Sequence, residues 1–169
     1  MLLRPATLDD LPLLKRWDVD PDVRAATGID DDDDWGWEDS FALDGYDTFL
    51  AEVDGRPLGV VQILDPHRDA TKYWGAMPPG FRALDLWIGA PEDRGRGLGA
   101  KMLRLAVERC FADPTVHTVL LDPLESNDRA CRFYEREGFR IVGPRRFGED
   151  DCLVYRLDRP TQSGDVELP

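Results

Sequence analysis

Cysteine and histidine are scarce in this sequence of 169 residues, which contains three cysteines and two histidines. Cys110, Cys131 and Cys152 form no Cys-x-x-Cys pair, and each is flanked by residues typical of helices or strands. His67 and His117 lie far apart, and neither has a metal-ligand partner nearby in the sequence. The sequence therefore predicts buried, unpaired cysteines, with neither a disulfide scaffold nor a metal site.

Long apolar runs are also missing. The longest mainly apolar stretch, Leu58 to Leu64, is far shorter than the roughly 20 residues that a helix needs to cross a bilayer. The first residues have no charged leader followed by an apolar core, so the sequence shows no signal peptide. We therefore expect no membrane association and take the cytoplasm as the default location.

Basic residues are in the minority, with 21 Lys and Arg against 34 Asp and Glu and a formal net charge of −13. Such a chain repels phosphate backbones, which excludes nucleic acid as an expected partner. It attracts cationic partners, although acidity also serves solubility, and composition does not separate the two roles. The length predicts one domain, residues 1–158, with a loose tail at 159–169, and leaves both monomer and homodimer open.

The hydrophobic pattern predicts a mixed α/β fold. The first half predicts a helix capped at Thr7 and strands at 2–4, 48–53, 58–64 and 82–89, the second and third forming an antiparallel hairpin. The second half predicts helices at 100–111 and 127–137, a buried strand at 118–121, and closing strands at 139–143 and 153–157.

Two segments have no regular pattern. Between Pro21 and Asp47, the acidic run Asp30–Asp34 lies next to Trp35 and Trp37. This run has two interpretations, a solvated loop or part of a lid over a cationic ligand. Residues 65–80 predict a second loop, and loops of this kind often carry functional residues.

A glycine-rich segment, Arg94 to Ala100, lies between a predicted strand and a predicted helix. Glycines let the backbone approach an anion, and free amides at a helix start point toward it. Arg94, Arg96 and Lys101 add positive charge there, which favours phosphate. Met102 after Lys101 excludes a nucleoside triphosphate loop, and the meander-like first half disfavours a dinucleotide fingerprint. An ordinary tight turn is the alternative interpretation.

Two segments resemble signatures of the GNAT N-acetyltransferase superfamily. Arg94-x-x-Gly97-x-Gly99, preceded by Pro91-Glu92, resembles the pyrophosphate-binding signature, and Asn127-x-x-Ala130-x-x-Phe133-Tyr134-Glu135-x-x-Gly138-Phe139 resembles the second signature. The resemblance implies a GNAT fold of the mixed α+β type. Its twisted mixed sheet would have about six to seven strands, splayed between strands 4 and 5 and flanked by helices.

The resemblance also implies acetyl-coenzyme A as the cofactor, bound in the splay. Loop amides would hold the pyrophosphate, and the backbone of Trp87 and Gly89 would pair with the pantetheine arm as an added strand does. The implied cofactor residues are Trp87, Ile88, Gly89, Arg94, Gly95, Arg96, Gly97, Leu98, Gly99, Ala100, Lys101, Asn127, Ala130 and Phe133.

Acetyl transfer to an amine needs a group that takes a proton from the amine and a group that protonates the leaving thiolate. Asp85 occupies the place on the fourth strand where many GNAT enzymes carry Glu, which implies a base or a substrate anchor. Tyr134 matches the family's general-acid tyrosine. A plain edge-strand aspartate and an aromatic core residue are the alternative interpretations of these two residues.

Residues 121–130, together with the earlier Asp113-Pro114, resemble the aminoglycoside 6′-N-acetyltransferases. That resemblance implies an acidic cleft for a polycation, because several carboxylates hold such a ligand by charged hydrogen bonds. The implied substrate-binding residues are Asp85, Asp122, Asp150, Asp151 as a possible replacement for Asp150, and the tryptophans Trp35 and Trp37. Asp122 has a second interpretation as a turn cap.

We therefore expect an acetyl-coenzyme A-dependent N-acetyltransferase that acts on a primary amine of a cationic small molecule, by direct transfer in a ternary complex. The favoured acceptor is the 6′-amine of aminoglycosides. Three alternatives remain: a siderophore-type acyltransferase, a protein or peptide N-acetyltransferase, and a catalytically silent GNAT module that binds coenzyme A.

Overall fold

The computed structural model describes residues 1–28 and 36–160, and within these ranges it contains seven strands and five α-helices. The strands are β1 (Leu2–Pro5), β2 (Tyr46–Val53), β3 (Arg56–Leu64), β4 (Phe81–Ile88), β5 (Thr118–Leu121), β6 (Arg140–Phe147) and β7 (Asp150–Asp158). The helices are α1 (Leu11–Asp18), α2 (Pro21–Thr27), α3 (Trp37–Ser40), α4 (Leu98–Ala112) and α5 (Asp128–Arg136).

The strands form one mixed sheet in the order β1-β2-β3-β4-β5-β7-β6. β4 and β5 are parallel, and the other neighbouring pairs are antiparallel. In the described part of the chain, β4 and β5 pair only from Phe81 to Ala83, opposite Thr118 to Leu120. The remainder of β4 has no partner on that side, so the two strands diverge. A mixed sheet of seven strands flanked by helices confirms the predicted fold class.

Both faces of the sheet are covered, and β4 supplies side chains to each. Leu84 belongs to the core under α4 and α5, whereas Trp87 belongs to the core between the sheet and helices α1 to α3. This alternation is the one that period-2 spacing predicts. It turns Asp85 away from the larger core.

Helices α2 and α3 lie in the segment where the sequence pattern predicted no regular structure. The limits of α2 follow from ordinary signals: Asp20 caps it, Pro21 occupies its first position, and Gly28 ends it with a φ of 75°. The closing strands β6 and β7 are longer than predicted, because they form one antiparallel hairpin that extends to Phe147 and Asp150.

Several other predictions have a structural outcome. The three cysteines are buried and not disulfide-bonded, as predicted. The run Asp30–Asp34 and Trp35 lie outside the described residues, as do residues 161–169 of the predicted tail. Arg159 is not loose, because it donates hydrogen bonds to the carbonyl oxygens of Val116 at 2.8 Å and Asp113 at 2.6 Å. Of the helices in the described ranges, none has the length and apolar character that a bilayer crossing requires.

Candidate active site

Two cavities meet where β4 and β5 diverge. The acidic cavity, of about 540 Å³, lies between β4, β5 and the segment after α3, and contains the carboxylates of Asp85, Asp122 and Asp150. The glycine-loop cavity, of about 830 Å³, lies against the start of α4. Residues that line both are Ala26, Leu86, Trp87, Asn127, Ala130 and Tyr134. A ligand in one cavity can therefore approach a ligand in the other.

The glycine loop has the backbone geometry of an anion site. Gly97 precedes α4 with a φ of 75°, and Gly95 has a φ of 73°, a left-handed conformation that favours glycine. No side chain caps the start of α4, so its first amides are available to a ligand. Gly95, Gly97, Gly99 and Ala100 line the cavity. This arrangement fits a pyrophosphate held by the main chain.

The charged side chains of the loop are less available than the sequence predicted. Arg94 forms ion pairs at 2.8 Å with both Asp20 and Asp22. Arg96 lies 3.2 Å from the buried carboxylate of Asp93. Although Arg94 lines the glycine-loop cavity, two carboxylates already offset its charge. The side chains of Leu98 and Lys101 do not line this cavity, and Leu98 packs against the core instead.

The register of β4 changes the expected pantetheine contacts. The amide of Gly89 donates to the carbonyl oxygen of Leu58 at 3.0 Å, and Trp87 stands opposite Val60 in the same ladder. Because hydrogen-bonded pairs alternate along an antiparallel ladder, Trp87 also directs its backbone groups toward β3. The alternate residues Leu86 and Ile88 therefore present theirs to the open side. This corrects the assignment of that pairing to Trp87 and Gly89.

Gly89 has a different role from the predicted one. A Cβ atom at this position would lie 2.0 Å from the ring of Trp17. The glycine is therefore required by the close packing of α1 on the end of β4. Gly89 does not line either cavity.

Helix α5 forms the opposite wall of the glycine-loop cavity. The Oδ1 atom of Asn127 accepts a hydrogen bond from the Ala130 amide at 3.1 Å and caps the helix, and no described residue accepts a hydrogen bond from its side-chain amide nitrogen. Ala130 and Phe133, two of the implied cofactor residues, line the cavity, and their contact with the cofactor stays a prediction. Four further residues of this wall were not predicted from the sequence: Ser126, Arg129, Arg136 and Glu137. Arg129 and Arg136 are seven residues apart and therefore lie on the same face of the helix, where both supply positive charge.

Asp85 faces the acidic cavity from the middle of β4 and is half-buried. No described residue donates a hydrogen bond to its carboxylate. Burial, and then the nearby Asp122 carboxylate, raise the pKa of Asp85 well above that of an ordinary aspartate. Asp85 therefore has the properties of a group that accepts a proton near neutral pH.

Tyr134 lies at the junction of the cavities and is 8% exposed. Its hydroxyl has no hydrogen-bond partner among the described residues. Burial, together with the carboxylates of Asp85 and Asp122, raises the pKa of Tyr134 above its ordinary value. The hydroxyl therefore keeps its proton and can donate it to an anion.

Asp122 is held by Tyr73, from the loop between β3 and β4. The Tyr73 hydroxyl donates to its Oδ2 atom at 2.8 Å, and the Tyr73 ring stacks on Phe147 with centroids 4.6 Å apart. Burial raises the pKa of Asp122, while the Tyr73 hydrogen bond and the charge of Arg145 partly offset this effect. Tyr73 and Trp74 both line the acidic cavity. The predicted functional loop thus contributes to the site.

Asp150 and Asp151 point to opposite sides of β7. Asp150 lines the acidic cavity, whereas Asp151 is exposed and pairs with Arg146 at 3.2 Å. Successive residues of a strand face opposite ways, so only one of the two can enter the cavity. The structure assigns that place to Asp150 and not to Asp151. A fourth carboxylate, that of Asp39, also lines the cavity and was not predicted from the sequence.

Trp37 does not line the acidic cavity. Its side chain is completely buried against Trp87, and its Nε1 atom donates to Asp18 Oδ2 at 2.5 Å. A fully buried indole cannot touch a substrate, so Trp37 supports the wall of the site from behind. Trp35, the other predicted tryptophan, lies outside the described residues.

Residues 6–147 match the family model described as an acetyltransferase (GNAT) domain. Among curated proteins, the chain is 34% identical over 103 residues to aminoglycoside N(6′)-acetyltransferase type 1 of Klebsiella pneumoniae, which is 60% of this chain and 51% of that protein. It is 43% identical over 65 residues to a kanamycin resistance protein of Rhizobium radiobacter, 38% of this chain and 60% of that protein. The chain thus spans about half the length of the first of these relatives.

A solved structure shares nearly the whole fold. Aminoglycoside acetyltransferase AAC(6′)-Ib, in complex with coenzyme A and kanamycin, has a TM-score of 0.83 and 26% identity. The similarity covers 93% of this chain and 94% of that one.

Proposed function

The chain belongs to the acetyltransferase (GNAT) domain family, and from this membership we propose that it transfers the acetyl group of acetyl-coenzyme A to a primary amine of a cationic small molecule. The favoured acceptor is the 6′-amine of aminoglycosides, the class on which the named relatives act. The observation that carries the proposal is the junction of an acidic cavity with a glycine-loop cavity at Trp87, Asn127 and Tyr134.

The glycine-loop cavity fits coenzyme A. Main-chain amides at the start of α4 suit the pyrophosphate. The backbone of Leu86 and the amide of Ile88 face the open side of β4 and suit the extended pantetheine arm. Arg129 and Arg136 add positive charge along the opposite wall. When bound, acetyl-coenzyme A supplies the acetyl group as a thioester.

The acidic cavity fits an acceptor with several ammonium groups. Asp85 is placed to take a proton from one ammonium, which frees the lone pair that attacks the thioester carbonyl carbon. Tyr134 is placed to give its hydroxyl proton to the departing sulfur as the carbon–sulfur bond breaks. Asp122, Asp150 and Asp39 supply charge for the other ammonium groups. The shared wall of the two cavities supports direct transfer in a ternary complex.

The alternative functions have weaker support. Siderophore-type acyltransferases typically carry a histidine in the acceptor site, but neither His67 nor His117 lines either cavity. A silent coenzyme A-binding module has no need of a half-buried carboxylate that, like Asp85, accepts no hydrogen bond from any described residue, because such a group costs stability. The cytoplasmic location and the choice between monomer and homodimer stay predictions.

A thiol-release assay tests the proposal. The purified chain is mixed with acetyl-coenzyme A and one amine at a time: kanamycin, spermidine, a hydroxylamine-bearing lysine derivative, or a peptide with a free amino terminus. The matched control is an aminoglycoside with a 6′-hydroxyl in place of the 6′-amine. We expect turnover with kanamycin and none with the control. Turnover with the control at the same rate, or with the peptide alone, would reject the 6′-amine as the acceptor.

A further inference from the structure

Helix α2 is a wall common to both cavities. Asp22, Val23 and Ala26 line the glycine-loop cavity, while Ala26 and Thr27 line the acidic cavity. The helix has seven residues, a length of about 10 Å. It ends at Gly28, where a Cβ atom would lie 3.2 Å from the carboxylate of Asp150. A shift of α2 would therefore change the shape of both cavities.

The start of α2 is fixed by Arg94. Its guanidinium donates to Asp20 and Asp22 at 2.8 Å each. The same side chain donates to the carbonyl oxygens of Ile88 at 3.3 Å and Gly89 at 2.9 Å. Arg94 thus connects the first turn of α2 with the end of β4 from inside the glycine loop.

The two carboxylates contribute unequally to this connection. The side chain of Asp22 is 82% exposed, so its ion pair with Arg94 is screened by water. The side chain of Asp20 is 19% exposed and also caps α2 by accepting from the amides of Asp22 and Val23. Asp20 is therefore the partner through which Arg94 acts on the helix.

We propose that Arg94 is a positioning residue that holds α2 against the cofactor loop and so sets the acceptor side of the site. Its guanidinium already contacts two carboxylates and two carbonyl oxygens. A phosphate would have to displace those contacts, which leaves pyrophosphate recognition to the main chain. Where it concerns the acceptor, the proposal rests on the proposed function.

The alternative is that Arg94 leaves α2 and contacts the pyrophosphate. The two possibilities predict opposite responses of α2 to coenzyme A. If Arg94 is a positioning residue, α2 stays protected from hydrogen exchange when coenzyme A binds. If Arg94 contacts the pyrophosphate instead, it releases α2 when coenzyme A binds, and the amides of α2 exchange faster.

Hydrogen–deuterium exchange of the full chain distinguishes them without any need for turnover. We expect Arg94→Gln, which keeps a polar side chain but removes the charge, to speed exchange in residues 18–28 by about tenfold. Arg96→Ala is the matched control in the same loop, and exchange of residues 18–28 should stay at the wild-type rate. Unchanged exchange in Arg94→Gln, or faster exchange of wild-type residues 18–28 on addition of coenzyme A, would overturn the proposal.

Steady-state kinetics give the second readout. We expect Arg94→Gln to raise KM for kanamycin about tenfold and KM for acetyl-coenzyme A by a smaller factor, about threefold, because α2 lines both cavities. Asp20→Asn keeps the helix cap and should cause a smaller change in the same direction. A rise confined to KM for acetyl-coenzyme A would contradict the positioning role. Absence of turnover with every amine would reject the proposed function, and the exchange experiment would still decide the role of Arg94.

Discussion

The two cavities that meet at Tyr134 are built from different parts of the chain. The glycine-loop cavity takes its anion site from consecutive residues, Gly95 to Ala100, and from their main-chain amides. The acidic cavity gathers side chains from separate elements, among them Asp85 on β4, Asp122 after β5 and Asp150 on β7. One site depends on local backbone conformation and the other on the whole fold.

This difference has an energetic consequence. The first backbone amides of any helix have no hydrogen-bond partner within the helix, so an anion site made from them adds no buried charge to the fold. The acidic cavity instead holds carboxylates whose pKa values burial raises, and Asp85 has no hydrogen-bond partner among the described residues. Such groups are kept at the expense of stability, which is typical of functional sites.

The largest effect is expected from a change in the acidic cavity. Asp85→Asn removes the group that accepts a proton from the amine, so kcat with kanamycin should fall by about 100-fold to 1,000-fold. Coenzyme A affinity, measured by isothermal titration calorimetry, should stay at the wild-type value because Asp85 does not line the glycine-loop cavity.

The control for this change is another strand aspartate. Asp47 on β2 is exposed and lines neither cavity, so Asp47→Asn should keep wild-type kinetics. If Asp85→Asn keeps the full kcat, Asp85 is no more catalytic than the surface residue Asp47.

A smaller effect is expected from the glycine loop. Gly97→Ala places a side chain on a residue with a φ of 75°, where no neighbouring atom lies within 4 Å of the new Cβ. The substitution strains the backbone and shifts the amides, so coenzyme A should bind about tenfold more weakly, or about 1.4 kcal/mol. Calorimetric titration with coenzyme A measures the loss.

Gly148→Ala is the matched control for Gly97→Ala. Gly148 has a φ of 58° and equally open surroundings, but it lies in the turn between β6 and β7. It should lower the melting temperature by a similar amount and leave coenzyme A affinity unchanged. Equal losses of affinity in both variants would mean that backbone strain alone, and not the anion site, explains the effect.

Because one cavity is built from consecutive residues and the other from distant ones, the sequence could predict the first more completely than the second. The glycine loop and the Asn127 to Phe139 segment are each encoded within a short run of neighbouring residues, so their resemblance to family signatures located them. Tyr73 and Asp39 reach the acidic cavity only after the loop from 65 to 80 and helix α3 fold against β4 and β5. No short-range pattern encodes that contact.

Helix α2 was missed for a related reason. Of its seven residues only Val23 is buried, so it shows no helical hydrophobic period. The cap at Asp20, the proline at the first position and the glycine at its end were the available signals. The backbone contacts of β4 could not be predicted without the register of β4 against β3, which is fixed by the pairing of Gly89 with Leu58.

The smallest expected effect concerns the stability that the folded chain loses because the pKa of Asp85 is raised. In the folded chain, burial and the charge of Asp122 raise the pKa of Asp85. The stabilisation that comes with the raised pKa is complete below the ordinary pKa of an aspartate and is lost as the pH rises through the raised value. An asparagine at this position does not ionise, so it does not suffer this loss.

Asp85→Asn should therefore be more stable than the wild type by about 1 kcal/mol above neutral pH, with the difference shrinking toward zero below about pH 4. Urea denaturation at a series of pH values measures the difference, and Asp47→Asn supplies a variant with an exposed carboxyl for comparison. A gain of the same size at every pH would assign it to packing and not to charge. A loss of stability at high pH would mean that the Asp85 carboxylate stabilises the folded chain, and the acidic cavity would then be no more costly to the fold than the glycine loop.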